Sequence, residues 1–166
     1  MNDLLTINVP RFARVTDYVG PWAIEPTAGA ALWDKCRSMD LAAHVANAEP
    51  PKLKSDVQTV RAANGQTVAV VMVAGPMMKA VGSAQSGTST VQARRELQKA
   101  ANDPNVSAIM LWIDSPGGTV SGTADFAAEV KSASAKKPVW AYVEDLGASA
   151  AYWAASQADK IFANNS

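Results

Sequence analysis

The sequence holds a single cysteine, Cys36, and a single histidine, His44, among its 166 residues. One cysteine cannot form an internal disulfide, and no histidine lies beside it in the sequence to activate it as a nucleophile. One cysteine and one histidine also cannot supply the nitrogen and sulfur ligands of a zinc site. The acidic residues are scattered rather than grouped, so we expect no metal and no cofactor.

The sequence also lacks an excess charge and a long hydrophobic run. Lysine plus arginine balance aspartate plus glutamate at 15 each, so there is no overall field to attract nucleic acid or an anionic membrane. The apolar runs Val68–Val73 and Ala108–Ile113 are far shorter than the roughly 20 residues that cross a bilayer. The N-terminal stretch has no features of a secretory signal. We expect a soluble, cytoplasmic protein without nucleic-acid or membrane partners.

The N-terminal part differs in pattern from the rest. We predict an arm over residues 1–46, with a possible strand around Phe12–Val19 and one helix over Thr27–Met39 that Pro26 opens. A linker over residues 47–65 follows, because Pro50, Pro51 and alternating charges favour an extended connector. Residues 66–166 then form the main domain.

Strands and helices alternate from Gln66 onward. The predicted strands are Thr67–Ala74, Ser107–Ile113, Pro138–Val143 and Lys160–Ala163, and the predicted helices are about Thr90–Ala101, Val120–Ser134 and Gly147–Ala158. The strands are continuous apolar runs, which are typical of a parallel sheet covered on both faces. The pattern therefore predicts an α/β fold with a largely parallel sheet, in which ligands bind beyond the carboxyl ends of the strands.

Two loops at those carboxyl ends carry the candidate chemistry. In the first, Ser115, Pro116, Gly117 and Gly118 form a turn whose Gly118 N–H could face a developing oxyanion. In the second, Ser149 opens a helix among small neighbours, so its hydroxyl could attack a carbonyl while the N–H of Ala150 serves as a second donor. Taken singly, each loop is also compatible with a purely structural turn or a serine N-cap.

Both loops match a known family. The motifs IDSPGG (residues 113–118) and ASAAYWAASQADKI (residues 148–161) resemble the S49 serine peptidases of the signal peptide peptidase A group. The segment GPWAIEP (residues 20–26) resembles the N-terminal part of the phage head-maturation proteases, of the minor capsid protein C type. The resemblance covers nearly everything from Thr67 to Ala163.

The resemblance implies a ClpP/crotonase-like fold of stacked ββα units and a Ser–Lys dyad that hydrolyses peptide bonds. It assigns Ser149 as the nucleophile and Gly118 with Ala150 as the oxyanion-hole donors. It further implies a homo-oligomer and, for the phage branch, capsid-assembly substrates such as scaffold, portal or capsid proteins, in the host cytoplasm or procapsid.

One departure concerns the general base. The family's lysine follows the serine by several tens of residues, whereas this sequence ends at Ser166. Lys160 is too far along the chain from Ser149, Lys79 is a weak substitute, and Lys136 and Lys137 precede a strand at the opposite edge of the sheet. We therefore expect a fold truncated at its C-terminal end, without the base lysine and inactive alone.

Two other functions fit parts of the pattern. A crotonase-like acyl-CoA enzyme would use the same paired amides without a serine nucleophile. A non-enzymatic oligomerisation or assembly module would use the alanine-rich and tryptophan-containing faces. For the tryptophans Trp112, Trp140 and Trp153 we expect core positions rather than interface positions, because each lies within a strand or helix pattern.

Overall fold

The computed structural model describes residues 20–47, 57–81 and 86–165. The strands of this part are β1 (Trp22–Ile24), β2 (Gln58–Arg61), β3 (Thr67–Ala74), β4 (Met77–Met78), β5 (Thr88–Ser89), β6 (Ala108–Ser115), β7 (Gly117–Thr119), β8 (Val139–Gly147) and β9 (Lys160–Ala163). The helices are α1 (Pro26–Ser38), α2 (Leu41–Asn47), α3 (Thr90–Asn102), α4 (Thr123–Ser134) and α5 (Ala150–Ala155). No helix among these residues is long and apolar enough to cross a membrane.

The larger sheet has five strands in the order β2-β3-β6-β8-β9. β3, β6, β8 and β9 run parallel to one another, and β2 pairs antiparallel with β3 at one edge. The predicted mixed α/β fold with a largely parallel sheet is therefore confirmed. β2 lies within the segment 47–65 that was predicted as a linker, so part of that segment is a strand.

One face of this sheet forms the core. Its inward residues come from β3, β6 and β8 and alternate along each strand, as in Val71, Leu111 and Ala141. Helices α3 and α4 supply Leu97, Phe126 and Val130 to the same cluster, each fully buried. Burial of a large apolar side chain contributes about 1.5–3 kcal/mol, so this face carries much of the stability.

The opposite face of the sheet is apolar and only half-covered by described residues. Met72, Trp112, Tyr142 and Phe162 form one cross-strand row through paired positions of β3, β6, β8 and β9. In the neighbouring row, Trp140 meets the ring of Phe162 edge to face at 6.2 Å. The predicted core positions are wrong for Trp140 and for Trp153 of α5, which are 44% and 43% exposed.

The smaller sheet has the order β1-β7-β4-β5 and brings the N-terminal arm to the main domain. β1 pairs antiparallel with β7, and β4 runs parallel to both β7 and β5. The arm helix α1 matches its prediction: Pro26 is its first residue, and Glu25 caps it by accepting from the N–H groups of Thr27 and Ala28. The structure adds a second helix, α2, to the arm.

Two predictions for the N-terminal part lie outside the described residues. The possible strand at residues 12–19 is one, and residues 48–56 of the linker are the other.

Candidate active site

Ser115 joins the loops at the carboxyl end of the large sheet. Its hydroxyl donates to the carbonyl of Gly75 at 2.7 Å and accepts from the N–H of Gly117 at 3.3 Å. Its own carbonyl accepts from the N–H of Ala148 at 3.0 Å. Ser115 is fully buried, so these bonds form away from water. One side chain and its backbone thus connect the end of β3, the diglycine turn and the loop that precedes Ser149.

A bulge in β8 brings that second loop to the turn. Ile113 of β6 lies opposite Val143, but Ser115 lies opposite Gly147, so β8 contains more residues than β6 over the same stretch. The additional residues include Glu144 and Asp145, which place acidic groups beside the loop. Loss of water, together with the charge and hydrogen bond of Glu144, raises the pKa of the Tyr142 hydroxyl above its ordinary value.

Gly117 is the contact point between the two loops. Its φ is +96°, in the left-handed region that favours glycine. A Cβ added to Gly117 would lie 3.0 Å from the Cβ of Ser149, 3.0 Å from the amide nitrogen of Ala150 and 2.3 Å from the carbonyl oxygen of Ala23. The side chain of Ser149, the amide of Ala150 and a carbonyl of the arm therefore meet around one glycine, and a side chain there would push them apart.

Ser149 adopts a backbone conformation that other L-residues rarely hold. Its φ is 54° and its ψ is −116°, and among the described residues it is the one non-glycine with a positive φ. Such a conformation costs on the order of 1–3 kcal/mol and is typical of functional sites. The side chain is exposed and makes no capping hydrogen bond to α5, so the N-cap alternative does not describe it.

Ala150 supplies a main-chain amide beside the serine. As the first residue of α5, its N–H has no acceptor within the helix, and the residue is fully buried. The helix is shorter than predicted, six residues instead of Gly147–Ala158. A helix this short has only a small macrodipole at its N-terminus.

Gly118 is placed differently from the prediction of a free donor. It lies buried between Ala23 of β1 and Met77 of β4. Glu25 N–H donates to Pro116 O at 2.7 Å and Val120 N–H donates to Pro21 O at 3.1 Å, one on each side of the Ala23–Gly118 pair. Because hydrogen-bonded pairs alternate in an antiparallel ladder, Ala23 and Gly118 form the hydrogen-bonded pair between them. The N–H of Gly118 therefore faces the carbonyl of Ala23.

The position of β1 is the feature that sequence reasoning missed. The apolar residues Trp22, Ala23 and Ile24, bounded by Pro21 and Glu25, are the signal that could have indicated a short edge strand. Three residues give too little alternation to identify its partner strand.

The lysines weighed as bases lie elsewhere. The side chain of Lys79 lies beside Gly122: its Cβ and Cγ are 3.6 Å from the position that a Cβ on Gly122 would take. Gly122 follows β7 at the end opposite to Gly117. Lys160 begins β9 opposite Trp140, towards the amino ends of the parallel strands. Lys136 donates to Asn102. Lys137 is not simply solvated, because its ammonium donates to the carbonyls of Ala100 and Asp103 at the end of α3.

The residues considered for other chemistry stand apart from the site. Cys36 is exposed on α1, and His44 lies half-buried on α2. Within residues 20–47, 57–81 and 86–165, no group of three or more histidine, cysteine, aspartate or glutamate side chains could hold a metal ion.

Comparisons with known proteins define the class. Residues 131–166 match the model of peptidase family S49. The chain is 30% identical over 158 residues to the capsid assembly protease C of Escherichia phage lambda, an alignment that covers 91% of this chain and 35% of that protein.

Two other relatives align with a shorter part of the chain. Protease 4 of Salmonella typhi is 35% identical over 106 residues, which cover 61% of this chain and 16% of that protein. The head-tail preconnector protein GP5 of Enterobacteria phage P21 is 35% identical over 108 residues, which cover 62% of this chain and 21% of that protein. The predicted resemblance to the S49 peptidases is confirmed, while the chain spans about a third or less of the length of these relatives.

Proposed function

We propose that this chain carries the nucleophile and the oxyanion donors of an S49 serine endopeptidase. One observation carries the proposal: Ser149, exposed and held at a positive φ, lies against Gly117 beside the amide nitrogen of Ala150, which has no acceptor within its helix. Strain at a serine next to a directed main-chain amide favours nucleophilic catalysis over a structural turn.

The reaction follows from this arrangement. Ser149 Oγ attacks the carbonyl carbon of a peptide bond and passes its proton to a base. The oxygen of the tetrahedral intermediate accepts from the N–H of Ala150 and from that of Gly118 once Gly118 is released from β1. The intermediate collapses with loss of the amine, which takes up a proton, and water then hydrolyses the acyl-serine.

In line with the resemblance, we propose that the base is a lysine several tens of residues after Ser149, forming a Ser–Lys dyad. Lys79, Lys136, Lys137 and Lys160 all point to other parts of the molecule. A serine hydroxyl without an adjacent base is a weak nucleophile, so the 166-residue chain should acylate very slowly by itself.

The substrate and context follow from the relatives. Polypeptides are the proposed substrates, and the phage relatives named for capsid assembly and head-tail connection favour proteins of a phage head as the partners. The paired amides at the ends of parallel strands fit a ClpP/crotonase-like arrangement.

A homo-oligomer is the proposed assembly, supported by the half-exposed apolar row of the large sheet. A second copy covering that row would remove about 25 cal/mol of unfavourable hydration per Å² buried. Sedimentation equilibrium of the chain and of Trp140→Ser with Phe162→Ser tests it. We expect association of the parent that the double variant loses, and a monomeric parent at high concentration would contradict the proposal.

Labelling by a fluorophosphonate probe tests the nucleophile. We expect slow labelling that rises with the concentration of added methylamine, a small external base that replaces the missing lysine. Ser149→Ala should abolish the label, whereas Ser156→Ala should keep it, because the exposed Ser156 hydroxyl makes only local bonds, to the carbonyl of Trp153 at 2.7 Å and from the side-chain amide of Gln157 at 3.1 Å. Label that persists in Ser149→Ala would contradict the proposal. Binding of coenzyme A to an unlabelled chain would instead favour the acyl-CoA function.

A further inference from the structure

β1 covers the edge of β7 that adjoins the candidate nucleophile. It is the terminal strand of the small sheet, so the edge of β7 that faces it has no other strand among the described residues. The contact runs from the Pro21–Val120 bond to the Glu25–Pro116 bond, with Ala23 and Gly118 at its centre. The main chain of the arm therefore occupies the full length of this three-residue edge.

The carbonyl of Ala23 lies where a substrate carbonyl would be needed. It faces the N–H of Gly118, the predicted oxyanion donor. It also lies 2.3 Å from the position that a Cβ on Gly117 would take, and that position is 3.0 Å from both Ser149 Cβ and the Ala150 nitrogen. The Ala23 carbonyl thus occupies the Gly118 donor, next to the glycine that Ser149 and Ala150 also approach. No second carbonyl can accept from the N–H of Gly118 while β1 remains in place.

The arm is attached weakly compared with the rest of the molecule. Trp22, Ala23 and Ile24 are all only half-buried, and α1 contains no buried residue. Ala23 packs against the core cluster. The side chain of Ile24 lies against Gly29 of α1, where its Cγ2 would be 3.1 Å from a Cβ added to that glycine. Main-chain hydrogen bonds therefore supply much of the attachment, and any extended peptide can make the same bonds regardless of its side chains.

We propose that β1 is an internal occupant of the peptide-binding edge, an autoinhibitory strand that must leave β7 before another polypeptide can reach Ser149. This inference rests on the proposed function. Displacement exposes the N–H of Gly118 and the edge of β7, and an extended segment of another polypeptide takes the place of residues 21–25 by adding an antiparallel strand.

A reversible disulfide between Trp22 and Thr119 tests the proposal. These two residues face each other at a non-hydrogen-bonded position, where side chains of antiparallel strands are closest and a disulfide fits. The double variant W22C/T119C is made with C36S, so that no other thiol remains. R61C/T67C with C36S is the matched control, because it locks the equivalent kind of position between β2 and β3 and leaves β1 free.

The first readout is fluorophosphonate labelling of Ser149 with methylamine present. We expect the oxidised W22C/T119C variant to label about tenfold or more slowly than its reduced form, because the open population is removed. The control variant should label equally in both forms. Equal rates for the locked and reduced forms of W22C/T119C would overturn the proposal while leaving Ser149 as the nucleophile.

The second readout does not need a reactive serine. A fluorescein-labelled peptide with the sequence GPWAIEP, copied from residues 20–26, is titrated against the same variants carrying S149A, with anisotropy as the signal. We expect binding to the reduced form and none to the locked form. Equal binding to both forms, or binding to neither, would overturn the proposal. Failure of labelling with selective peptide binding would instead reject the proposed chemistry and retain the displaceable strand.

Ala23→Pro provides a second route if the disulfide variant does not fold. Proline removes the N–H through which Ala23 completes its pair with Gly118, so β1 should detach without a change elsewhere. We expect faster labelling and tighter peptide binding than in the parent chain. Unchanged values for both would overturn the proposal.

Discussion

The large sheet and the N-terminal arm are held by different forces. α3 and α4 bury Leu97, Phe126 and Val130 against the sheet, whereas α1 buries none of its residues. The arm relies on a helix cap and on main-chain bonds along β7. Apolar burial makes the sheet a rigid platform for the two loops of the site, while the arm can exchange its bonds with water or with another strand at little cost.

The largest expected effect is the difference in unfolding free energy between a substitution in the core and one in the arm. Phe126→Ala, at a fully buried position of α4, should lower the free energy of unfolding by about 3–5 kcal/mol. Trp33→Ala, at a 66% exposed position of α1, should change it by less than about 0.5 kcal/mol. Urea unfolding followed by circular dichroism measures both. Similar losses for the two variants would show that the arm belongs to the cooperative core.

Gly117→Ala tests the contact between the arm and the site. Both the positive φ and the 2.3 Å approach to Ala23 O oppose a side chain, so we expect a loss of about 3 kcal/mol together with release of β1. Gly65→Ala is the control, because its φ of +81° is similar but nothing lies within 4 Å of an added Cβ. It should cost only about 1 kcal/mol. Equal costs would mean that β1 does not press on Gly117.

The protein should be more stable with glycine at position 149 than with alanine. Both changes remove the hydroxyl, but glycine relaxes the strain at φ 54°, so we expect Ser149→Gly to exceed Ser149→Ala by about 1–2 kcal/mol in unfolding free energy. Thermal unfolding of the pair gives the difference. A glycine variant less stable than the alanine variant would show that the serine is unstrained.

Ser115→Ala should loosen the two loops. It removes the bonds to Gly75 O and Gly117 N–H in a buried position, at a cost of about 1–2 kcal/mol. Labelling of Ser149 should slow at the same time, because Gly117 and the loop at Ala148 lose their common support. Ser134→Ala, which breaks an exposed hydroxyl bond to Asp159, is the control and should leave labelling unchanged.

The smallest effect is a pH dependence of the arm. Backbone bonds from Thr27 and Ala28 hold the pKa of the Glu25 carboxyl below its ordinary value of 4.5. A lowered folded pKa means that the cap is fully present above about pH 4.5 and is lost as the pH falls through the folded pKa. Amide exchange of Val120 measures release of β1. Protection should decline in acid for the parent but should be pH-independent in Glu25→Gln, and an identical decline in both would assign it to another group.

The sequence predicted the framework because its signals are local and repeated. Thr67–Ala74 has the predicted ends, since it is an apolar, β-branched run between Gly65 and Gly75, and Lys160–Ala163 also has the predicted ends. The turn at Ser115 and the loop at Ser149 could also be paired, because parallel strands end at one edge. Their chemical roles remain proposals.

Other features depend on contacts that a local pattern does not contain. The pairing of Ala23 with Gly118 joins residues far apart in the chain, and three residues of β1 cannot specify it. The exposure of Trp140 depends on which sheet face receives helices, and that of Trp153 on which side of α5 packs on the core, neither of which a local pattern reveals. The unusual dihedral angles of Ser149 occur next to the β8 bulge and Gly117, both of which are tertiary features.

The most direct test is a crystal structure of the fluorophosphonate adduct, formed with methylamine present. The account predicts phosphorus bonded to Ser149 Oγ, with its oxygen accepting from the N–H groups of Ala150 and Gly118 and with residues 21–25 displaced from β7. An adduct on another residue, or a phosphoryl oxygen in solvent while Gly118 still pairs with Ala23, would contradict it.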